Sequence, residues 1–556
     1  IFRDRTYLIG DLVNSTPVTS STENFFYEDL PGGEGSSYAS YLASKITKFK
    51  SGSNFFNIVY VGSNDGMLHA FQDTYDTAPS DAGKEIFSYI PSHIHPKLEN
   101  LTKPNYNHEY FVNATPHVAD AYISSAWRTM LVGAFGAGAK GLYALNITDP
   151  KNFAVSDVMW EFKEDSDVTN GSGEIGYVLT SPQVVRLKNN KWGVVFGNGY
   201  NSTSQQARLF ILDAADGSIM KVINTGVGSF ASPNGLSEPI LVDVDLDGIV
   251  DRAYAGDLHG KMWKFDLSSA SASNWKVAFD SVGDGSGTPI PLFSATDANG
   301  VQQTITSRPS IAYNPDGGFN VIFGTGKYLE IGDNIIPGNP AQNSVYSVND
   351  NNAAITSGRS ALVQQEILAE QDEYDDNGTP ADTSDDVLTN RVRITSSNTV
   401  NYASKNGWFM DLLAPDGPDT GSDPDPYGER VIARPLTRFG RAIFTTYTPS
   451  ASPCDGGGIS LLMDLDALSG ARLGESVFDV NGDGFIDAND LVLYNSTGTV
   501  ASGIFITGTL GPPAIISASG GTSEYRIISG IDGTIQNVEV SVDPRSIGRQ
   551  SWRQLQ

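Results

Sequence analysis

The sequence predicts an all-β protein folded as a modified β-propeller, and three features of the chain support this prediction. Short apolar runs with period-two alternation recur along its length. Turns that contain Gly, Asn or Asp join these runs in pairs, as in β-hairpins. Helical periodicity is scarce, and its best candidate is residues 37–49, with Ser36 as the N-cap. A propeller suits such a chain because radial repetition leaves only short strand edges exposed.

The recurring unit is an apolar run, a Gly, a turn and a second apolar run that ends in Asp or Asn. Residues 59–73 and 253–267 are the clearest copies. Looser copies lie at residues 130–149, 194–217, 321–350 and 458–470. Over most of the chain the copies are about 60–75 residues apart, which exceeds the ~40–45 residues of a simple blade and indicates four-stranded blades with long inserted loops.

The number of copies predicts the number of blades. Six copies are visible, and the insertion-rich region 350–456 is long enough for one more, near residues 407–412 and 441–448. We therefore predict a single propeller domain over residues 1–556, with seven blades. Six and eight blades stay open as alternatives. An array of β-sandwiches also stays open, because the copies are widely spaced.

Charge and composition exclude several classes of protein. Lys and Arg number 36 against 64 Asp and Glu, so the formal net charge is −28 and a nucleic-acid backbone would be repelled. Cys454 is the single cysteine, which excludes a disulfide-stapled fold and a cysteine-rich zinc module. No apolar run approaches the roughly 18 residues of a membrane helix. No signal-peptide pattern opens the sequence, which leaves the cytoplasm and a mature secreted chain both open.

Two Asp-rich segments have the spacing of an EF-hand-like calcium loop. Ca²⁺ takes about 6–8 oxygen ligands, and oxygens at positions 1, 3 and 5 converge when a Gly at position 6 allows a sharp turn. Position 7 adds a backbone carbonyl, and position 9 adds a side-chain oxygen, directly or through water. The first segment supplies these ligands with Asp243, Asp245, Asp247, Ile249 and Asp251.

The second segment repeats this spacing and adds position 12, where an Asp is one methylene shorter than the usual Glu. Its predicted ligands are Asp479, Asn481, Asp483, the carbonyl of Phe485, Asp487 and Asp490. The first loop has Tyr254 at position 12 and runs directly into an apolar β-run. Neither loop is therefore expected to swing two helices apart as a calcium sensor does. An acidic turn without metal is the alternative for each loop, because Asp, Asn and Gly are common turn residues.

Other polar clusters carry weaker signals. The acidic stretches 372–386 and 416–429 lack the spacing and are predicted to be solvated insertions, with a third metal near Asp375–Asp382 as the alternative. His93 and His95 have ligand-like spacing but no third ligand nearby, so a structural role is favoured. The Gly-rich segment 133–141 lacks the GK[ST] sequence of a phosphate loop and is predicted to be a turn. With no nucleophile-elbow or zinc-protease motif, we predict no enzyme activity.

A series of motifs in a fixed order resembles the PilY-type (PilC/PilY) family of type IV pilus tip adhesins and biogenesis factors. The motifs are LIGDLVNSTP (8–17), VYVGSNDGMLHAF (59–71), PNYNHEYFVNATP (104–116), MLVGAFGAGAKGLYALNITDP (130–150), WGVVFGNGYNS (192–202), VDVDLDGIVDRAYAGDLHGKMWKFDL (242–267), VIFGTGKYLE (321–330), GWFMDL (407–412), GERVIARP (428–435), SPCDGGGISLLMDLD (452–466), FDVNGDGFID (478–487) and SWRQL (551–555). The resemblance covers nearly the whole chain. It implies a modified β-propeller that forms the carboxy-terminal part of a larger secreted protein.

The resemblance also implies a function. The family's calcium loop, whose occupancy is associated with control of pilus extension and retraction, matches Asp243, Asp245, Asp247, Ile249 and Asp251. Family members are thought to cap the pilus with minor pilins, promote its assembly, bind a host-cell or abiotic surface ligand and support twitching motility. The expected location is the pilus tip, on the outer surface of a bacterium.

Two alternatives to the adhesin stay open. The first is a quinoprotein-type propeller dehydrogenase, which also uses calcium. Such enzymes often place a vicinal disulfide against the quinone, and Cys454 alone cannot form one. Fold analogy by itself does not establish that activity. The second alternative is a purely structural pilus cap without receptor binding.

Overall fold

The computed structural model describes residues 3, 9–51, 54–74, 82–164, 172–375, 387–413, 415, 427–450, 457–517, 523–531 and 533–542. Contacts divide the chain into two compact units. The first holds the described residues up to 255 together with 264–290, and the second holds 256–263 and the described residues from 291 onward. Outside the described residues lie Cys454, 376–386, 416–426 and 551–555, and with them most of the third metal position near Asp375–Asp382. The single domain over residues 1–556 stays a prediction.

The part of the chain up to residue 290 contains nineteen strands among its described residues. They are β1 (Val18–Ser20), β2 (Lys50–Ser51), β3 (Asn54–Gly62), β4 (Leu68–Thr74), β5 (Lys84–Tyr89), β6 (His117–Ile123), β7 (Ala126–Ala134), β8 (Gly141–Asn146), β9 (Val158–Lys163), β10 (Gln183–Arg186), β11 (Trp192–Gly197), β12 (Arg208–Asp213), β13 (Ile219–Asn224), β14 (Ile240–Val242), β15 (Arg252–Gly256), β16 (Lys261–Asp266), β17 (Lys276–Val277), β18 (Phe279–Asp280) and β19 (Pro289–Ile290).

These strands form antiparallel sheets whose strand order follows the chain. The orders are β1–β3–β4–β5, with β2 beside β3, then β6–β7–β8–β9, β10–β11–β12–β13 and β14–β15–β16–β17. β18 and β19 form a separate hairpin. Central strands such as β11 are apolar throughout and buried at every residue, because both faces of the sheet are covered. A four-stranded meander of this kind is the unit of a propeller blade.

One α-helix, α1 (Gly33–Lys48), is present among the described residues. It begins four residues before the predicted segment 37–49, and Gly32 occupies the N-cap in place of Ser36. Gly32 has φ +68°, a left-handed conformation that favours Gly. The remaining helical segments are short 3₁₀ helices at Tyr27–Asp29, Ser92–Thr102, Pro150–Asn152, Val155–Asp157, Ser172–Glu174, Ala272–Asn274, Gly358–Ala361 and Ala488–Asp490. In the described part of the chain, no helix is both long and apolar enough to cross a bilayer.

The aromatic core of the first unit lies where α1 packs on the sheets. The ring centroid of Trp127 lies 4.6 Å from that of Tyr38 and 5.5 Å from that of Trp192. Tyr27 stacks on the same indole at 5.6 Å. Edge-to-face and stacked pairs at these distances add about 0.5–1.5 kcal/mol each to the burial itself. The core therefore fixes α1 against β7 and β11.

The second unit contains the remaining strands. They are β20 (Phe293–Ser294), β21 (Ser310–Tyr313), β22 (Phe319–Gly324), β23 (Ser344–Asp350), β24 (Val363–Gln365), β25 (Ile367–Asp375), β26 (Val387–Thr395), β27 (Gly407–Asp411), β28 (Leu436–Arg438), β29 (Arg441–Pro449), β30 (Gly458–Asp466), β31 (Val492–Tyr494), β32 (Thr497–Thr499), β33 (Gly503–Thr507), β34 (Ala514–Ser517), β35 (Ser523–Ser529) and β36 (Ile535–Ser541).

The sheets of the second unit do not all follow chain order. One has the order β21–β22–β23–β27–β24, with β24 parallel to β27. A six-stranded sheet has the order β25–β26–β33–β30–β29–β28, and β34–β35–β36 form a three-stranded sheet. Across the described residues of both units, seven sheets have three or more strands. This number matches the predicted number of blades.

Candidate metal centre

The first Asp-rich loop joins β14 to β15 within the first unit. Its backbone turns sharply at Leu246, with φ +62°, and at Gly248, with φ +82°. Both residues therefore have the left-handed conformation, which only Gly adopts without strain. The chain then enters β15 through Ile249, whose side chain is buried in the aromatic core. The predicted turn at position 6 is confirmed, and a second left-handed residue at position 4 accompanies it.

Hydrogen bonds from the backbone hold the carboxylates at positions 1, 5 and 9. Asp243 accepts from the backbone N–H groups of Asp247, at 3.2 Å, and Gly248, at 2.7 Å. Asp247 Oδ1 accepts from the N–H of Ile249 at 2.9 Å. Asp251 Oδ2 accepts from the N–H of Val244 at 2.9 Å. Each carboxylate is thus fixed in orientation by the loop itself.

The carboxylates at positions 1, 3 and 5 converge. One oxygen each from Asp243, Asp245 and Asp247 lies within 4.8 Å of the other two. Two oxygens bound to one Ca²⁺ at about 2.3–2.6 Å can be no more than about 5 Å apart, so this spacing suits a shared ion. Asp251 does not belong to this group of three, and position 9 often reaches the ion through water.

Burial and mutual repulsion make this cluster of carboxylates unfavourable without a cation. Burial, with smaller contributions from the charges of Asp247 and Asp251, raises the pKa of Asp243 to about 6, although the hydrogen bond from Gly248 lowers it. The pKa of Asp251 is also raised, first by burial and then by the charge of Asp245. A bound cation would offset both effects.

A lysine that the sequence analysis did not single out reaches this loop. Lys188 Nζ lies 2.8 Å from Asp247 Oδ2, 3.8 Å from Asp245 Oδ2 and 3.9 Å from Asp251 Oδ1. It belongs to the turn between β10 and β11, about 60 residues earlier in the chain. The packing of two neighbouring sheets brings this turn and the Asp-rich loop together. No local sequence pattern therefore links them.

The second Asp-rich loop, in the second unit, has the same backbone geometry. Gly482 at position 4 and Gly484 at position 6 have φ +77° and +83°. Asp479 Oδ2 accepts from the N–H of Gly484 at 2.9 Å, as Asp243 does from Gly248 in the first loop. Asp483 Oδ1 accepts from the N–H of Phe485 at 2.8 Å, as Asp247 does from Ile249. Two unrelated stretches of chain thus adopt one loop conformation.

Position 12 of the second loop has a clear structural role. Asp490 is buried, and its two oxygens accept from the N–H groups of Val480 and Asp487 at 2.7 Å each. Asp487 itself accepts from the N–H of Asn489 and caps the short helix Ala488–Asp490. Asp490 therefore joins the two ends of the loop.

The second loop differs from the first in the spacing and exposure of its side chains. Within the described residues, only the first loop forms a group of three carboxylates with the close oxygen spacing. Asn481 supplies an amide at position 3, and its Nδ2 donates to Asp483 Oδ2 at 3.2 Å. The side chain of Phe485 is 70% exposed, whereas Ile249 is buried. The donor set of each loop suits a hard cation such as Ca²⁺, because all the donors are carboxylate, amide or carbonyl oxygens.

The other polar segments fit structural roles. The His93 ring stacks on Phe135 at 5.7 Å, and His93 and His95 belong to no group of three closely spaced ligands in the described part of the chain. The Gly-rich segment 133–141 contains the turn between β7 and β8, as predicted, with residues 135–140 outside both strands. A Cβ on Gly138 would lie 1.8 Å from the carbonyl oxygen of Phe111, which explains the need for Gly there.

Blade-like antiparallel meanders and two Asp-rich loops of one conformation define a β-propeller protein with candidate calcium loops. Residues 9–376 match a family model described as the PilY1 beta-propeller domain. The chain belongs to this family, and the predicted propeller fold is confirmed.

Three comparisons place the chain within the family. It is 34% identical over 588 residues to a type IV pilus biogenesis factor PilY1 homolog of Xylella fastidiosa, covering 100% of this chain and 36% of the relative. It is 32% identical over 582 residues to the type IV pilus biogenesis factor PilY1 of Pseudomonas aeruginosa, covering 100% and 46%. The crystal structure of the P. aeruginosa PilY1 C-terminal domain superposes with a TM-score of 0.70 and 31% identity, covering 91% of this chain and 95% of that one. The chain spans less than half the length of these curated relatives.

Proposed function

We propose that this chain is the calcium-binding propeller of a type IV pilus biogenesis factor. The observation that carries the calcium proposal is the convergence of Asp243, Asp245 and Asp247 in a loop whose backbone hydrogen bonds recur in the second loop. The relatives named as pilus biogenesis factors support the pilus role.

In this proposal each loop holds one Ca²⁺. In the first loop, Asp243, Asp245 and Asp247 would bind the ion with the carbonyl of Ile249, and Asp251 would complete the site. In the second, Asp479, Asn481, Asp483, the carbonyl of Phe485 and Asp487 would bind it, with Asp490 as the twelfth-position residue. The ion would neutralise carboxylates that the fold holds close together and so stabilise the loop between its flanking strands.

The biological role is an adhesin and assembly factor at the pilus tip. The protein would cap the pilus together with minor pilins, outside the cell, and would contact a host-cell or abiotic surface during attachment and twitching motility. The role is not enzymatic, in keeping with relatives that are named for pilus biogenesis. The matched family model describes a propeller domain of such a factor.

Thermal unfolding tests the calcium proposal. A ligand at 100 times its Kd stabilises the folded state by about 2.7 kcal/mol, so the melting temperature should rise in Ca²⁺ and fall in EGTA. The variants Asp243→Ala with Asp247→Ala, and Asp479→Ala with Asp483→Ala, should each lose part of this response. Asp316→Ala is the matched control, because it removes an exposed Asp from the short turn between β21 and β22, which lacks the loop spacing. A melting temperature that is the same in Ca²⁺ and EGTA would refute calcium binding.

Localisation tests the pilus proposal. Antibody labelling of the full-length protein should mark the tips of isolated pili, and affinity purification should recover minor pilins. Recovery from the cytoplasm alone, without label on pili, would contradict it.

A further inference from the structure

The side chain of Lys188 lies against the carboxylates of the first loop. Its ammonium group donates to Asp247 Oδ2 at 2.8 Å and lies within 4 Å of Asp245 and Asp251. The backbone beside it is fixed, because Leu187 pairs with Val250 and the N–H of Val250 donates to the Arg186 carbonyl at 2.9 Å. Lys188 therefore reaches the loop from a rigid neighbouring sheet.

An ammonium group and a metal ion compete for the same oxygens. The carboxylates of Asp245, Asp247 and Asp251 that face Lys188 are those assigned to positions 3, 5 and 9 of the metal site. A divalent ion among these oxygens would repel an ammonium group a few ångströms away. The Lys188 side chain is 30% exposed, so it has room to swing into solvent when the ion arrives.

We propose that Lys188 is a built-in counter-cation of the first loop, which neutralises its carboxylates when calcium is absent and which calcium must displace in order to bind. This inference rests on the proposed calcium function and concerns its regulation. Lys188 stabilises the metal-free loop and at the same time weakens calcium affinity. It thereby raises the calcium concentration at which the loop fills.

Two internal comparisons support the assignment. Lys191 lies in the same turn but pairs with Asp213, at 2.7 Å, which is not part of the loop. Among the described residues, no Lys or Arg lies within ion-pair distance of the carboxylates of the second loop. The counter-cation is thus specific to the first loop.

Calcium titration of four proteins tests the proposal in the 556-residue chain. All four carry Asp483→Ala, which removes one ligand of the second loop. The first has no other change, and the other three add Lys188→Gln, Lys188→Arg or Lys191→Gln. Isothermal titration calorimetry should show that Lys188→Gln binds Ca²⁺ about fivefold more tightly, the size expected from losing surface ion pairs worth about 1 kcal/mol. Lys188→Arg keeps the charge and Lys191→Gln leaves the loop untouched, so both should bind as the unchanged protein does.

A second readout does not require bound metal. In EGTA, Lys188→Gln should melt at a lower temperature than the unchanged protein, because its carboxylates repel one another without a counter-cation. Added Ca²⁺ should then raise the melting temperature of Lys188→Gln by more than that of the unchanged protein. If Lys188→Gln binds Ca²⁺ no more tightly than the unchanged protein, the counter-cation role is overturned while calcium binding stands. If none of the four proteins binds Ca²⁺, the calcium function of the first loop and this inference both fail.

Discussion

Leu246 has φ +62° at position 4 of the first loop, where the second loop has Gly482 at φ +77°. A left-handed conformation costs a residue with a Cβ roughly 1–2 kcal/mol relative to the right-handed one. The loop maintains this conformation because Asp243 accepts hydrogen bonds from the backbone N–H groups of Asp247 and Gly248, the two residues that follow Leu246. The conformation of the loop is therefore set by its carboxylates as much as by its glycines.

A second charge cluster, centred on the buried His69, predicts a pH dependence of stability. His69 Nδ1 lies 2.6 Å from Glu85 Oε1, and His69 Nε2 lies 3.1 Å from Asp65 Oδ2. Burial alone lowers the pKa of His69, but the bonds to Asp65 and Glu85 outweigh it and the pKa is raised above its usual range. A raised histidine pKa stabilises the fold below the unfolded value of about 6.5, and this contribution is lost as the pH rises through the folded value.

Melting temperature measured against pH checks this prediction. The wild-type protein should lose stability as the pH rises from about 6.5 through the raised pKa of His69, and His69→Gln should flatten that part of the curve. His108→Gln is a suitable control, because His108 pairs with Asp11 at 3.0 Å but is half exposed. If the melting temperature of His69→Gln fell with rising pH as steeply as that of the wild-type protein, this cluster would not be the source of the pH dependence.

The side chains of the two loops show what the sequence could and could not predict. Spacing alone predicted the convergence of Asp243, Asp245 and Asp247, because five consecutive residues determine it. Spacing could not predict the contact of Lys188 with the first loop, because that contact depends on how two neighbouring sheets pack. It also could not predict the left-handed Leu246, because a leucine is an unfavourable choice for that conformation.

Helix α1 is attached to the first unit by a buried ion pair. Lys45 Nζ lies 3.1 Å from Asp120 Oδ1 on β6, and both side chains are almost fully buried. The hydroxyl of Tyr38, also on α1, donates to Asp120 Oδ2 at 2.9 Å. Removing one member of such a pair leaves an uncompensated charge inside the protein.

Asp120→Asn should therefore destabilise the first unit by about 3–5 kcal/mol, because it leaves the Lys45 ammonium buried without its partner charge. Combining it with Lys45→Met should restore part of the loss. Lys48→Met is the control, since Lys48 pairs with Asp149 at the surface and such pairs contribute about 0–1 kcal/mol. Urea unfolding followed by tryptophan fluorescence would measure these differences, and equal effects of Asp120→Asn and Lys48→Met would refute the prediction.

Local sequence patterns predict the presence of the helix and of the strands better than they predict where these elements end or how the strands are ordered within the sheets. The helix was expected at 37–49, and its first turn was missed because a Gly-rich start carries no capping side chain. Hairpins such as β3–β4 and β15–β16 follow from alternation around a Gly-containing turn. The six-stranded sheet was beyond prediction, because β33 pairs with β26 and β30, strands that are distant from it in the chain.

Over the whole chain, the negative charge falls into two groups that respond differently to salt: charge spread over the molecule and carboxylates concentrated in the Asp-rich loops. The formal charge of −28 is spread over 556 residues, and two bound Ca²⁺ ions would bring it to −24. The spread charge repels itself through solvent, and salt screens that repulsion. The carboxylates of the Asp-rich loops are held within a few ångströms of one another, where salt screens poorly.

These two parts should separate in a salt titration. Raising NaCl from about 10 mM to about 150 mM shortens the Debye length from about 30 Å to about 8 Å, so the melting temperature in EGTA should rise. The further increase on adding Ca²⁺ should persist at about 150 mM NaCl, because it comes from ligand bonds rather than from screening. Mg²⁺ at the same ionic strength is the control, since its smaller coordination sphere suits these loops less well. Loss of the calcium increment in NaCl would contradict the assignment.

The strand order of the six-stranded sheet also fixes when this part of the protein can fold. Val392 and Arg393 of β26 pair with Ile504 and Gly503 of β33, which is made more than a hundred residues later. As the chain is synthesised, β26 and β30 each keep one unpaired edge until β33 emerges. Pairing of strands so far apart is slow, because a long loop must close first. The six-stranded sheet therefore cannot be completed until β33 has been made, and until then its unpaired strand edges can pair with other chains.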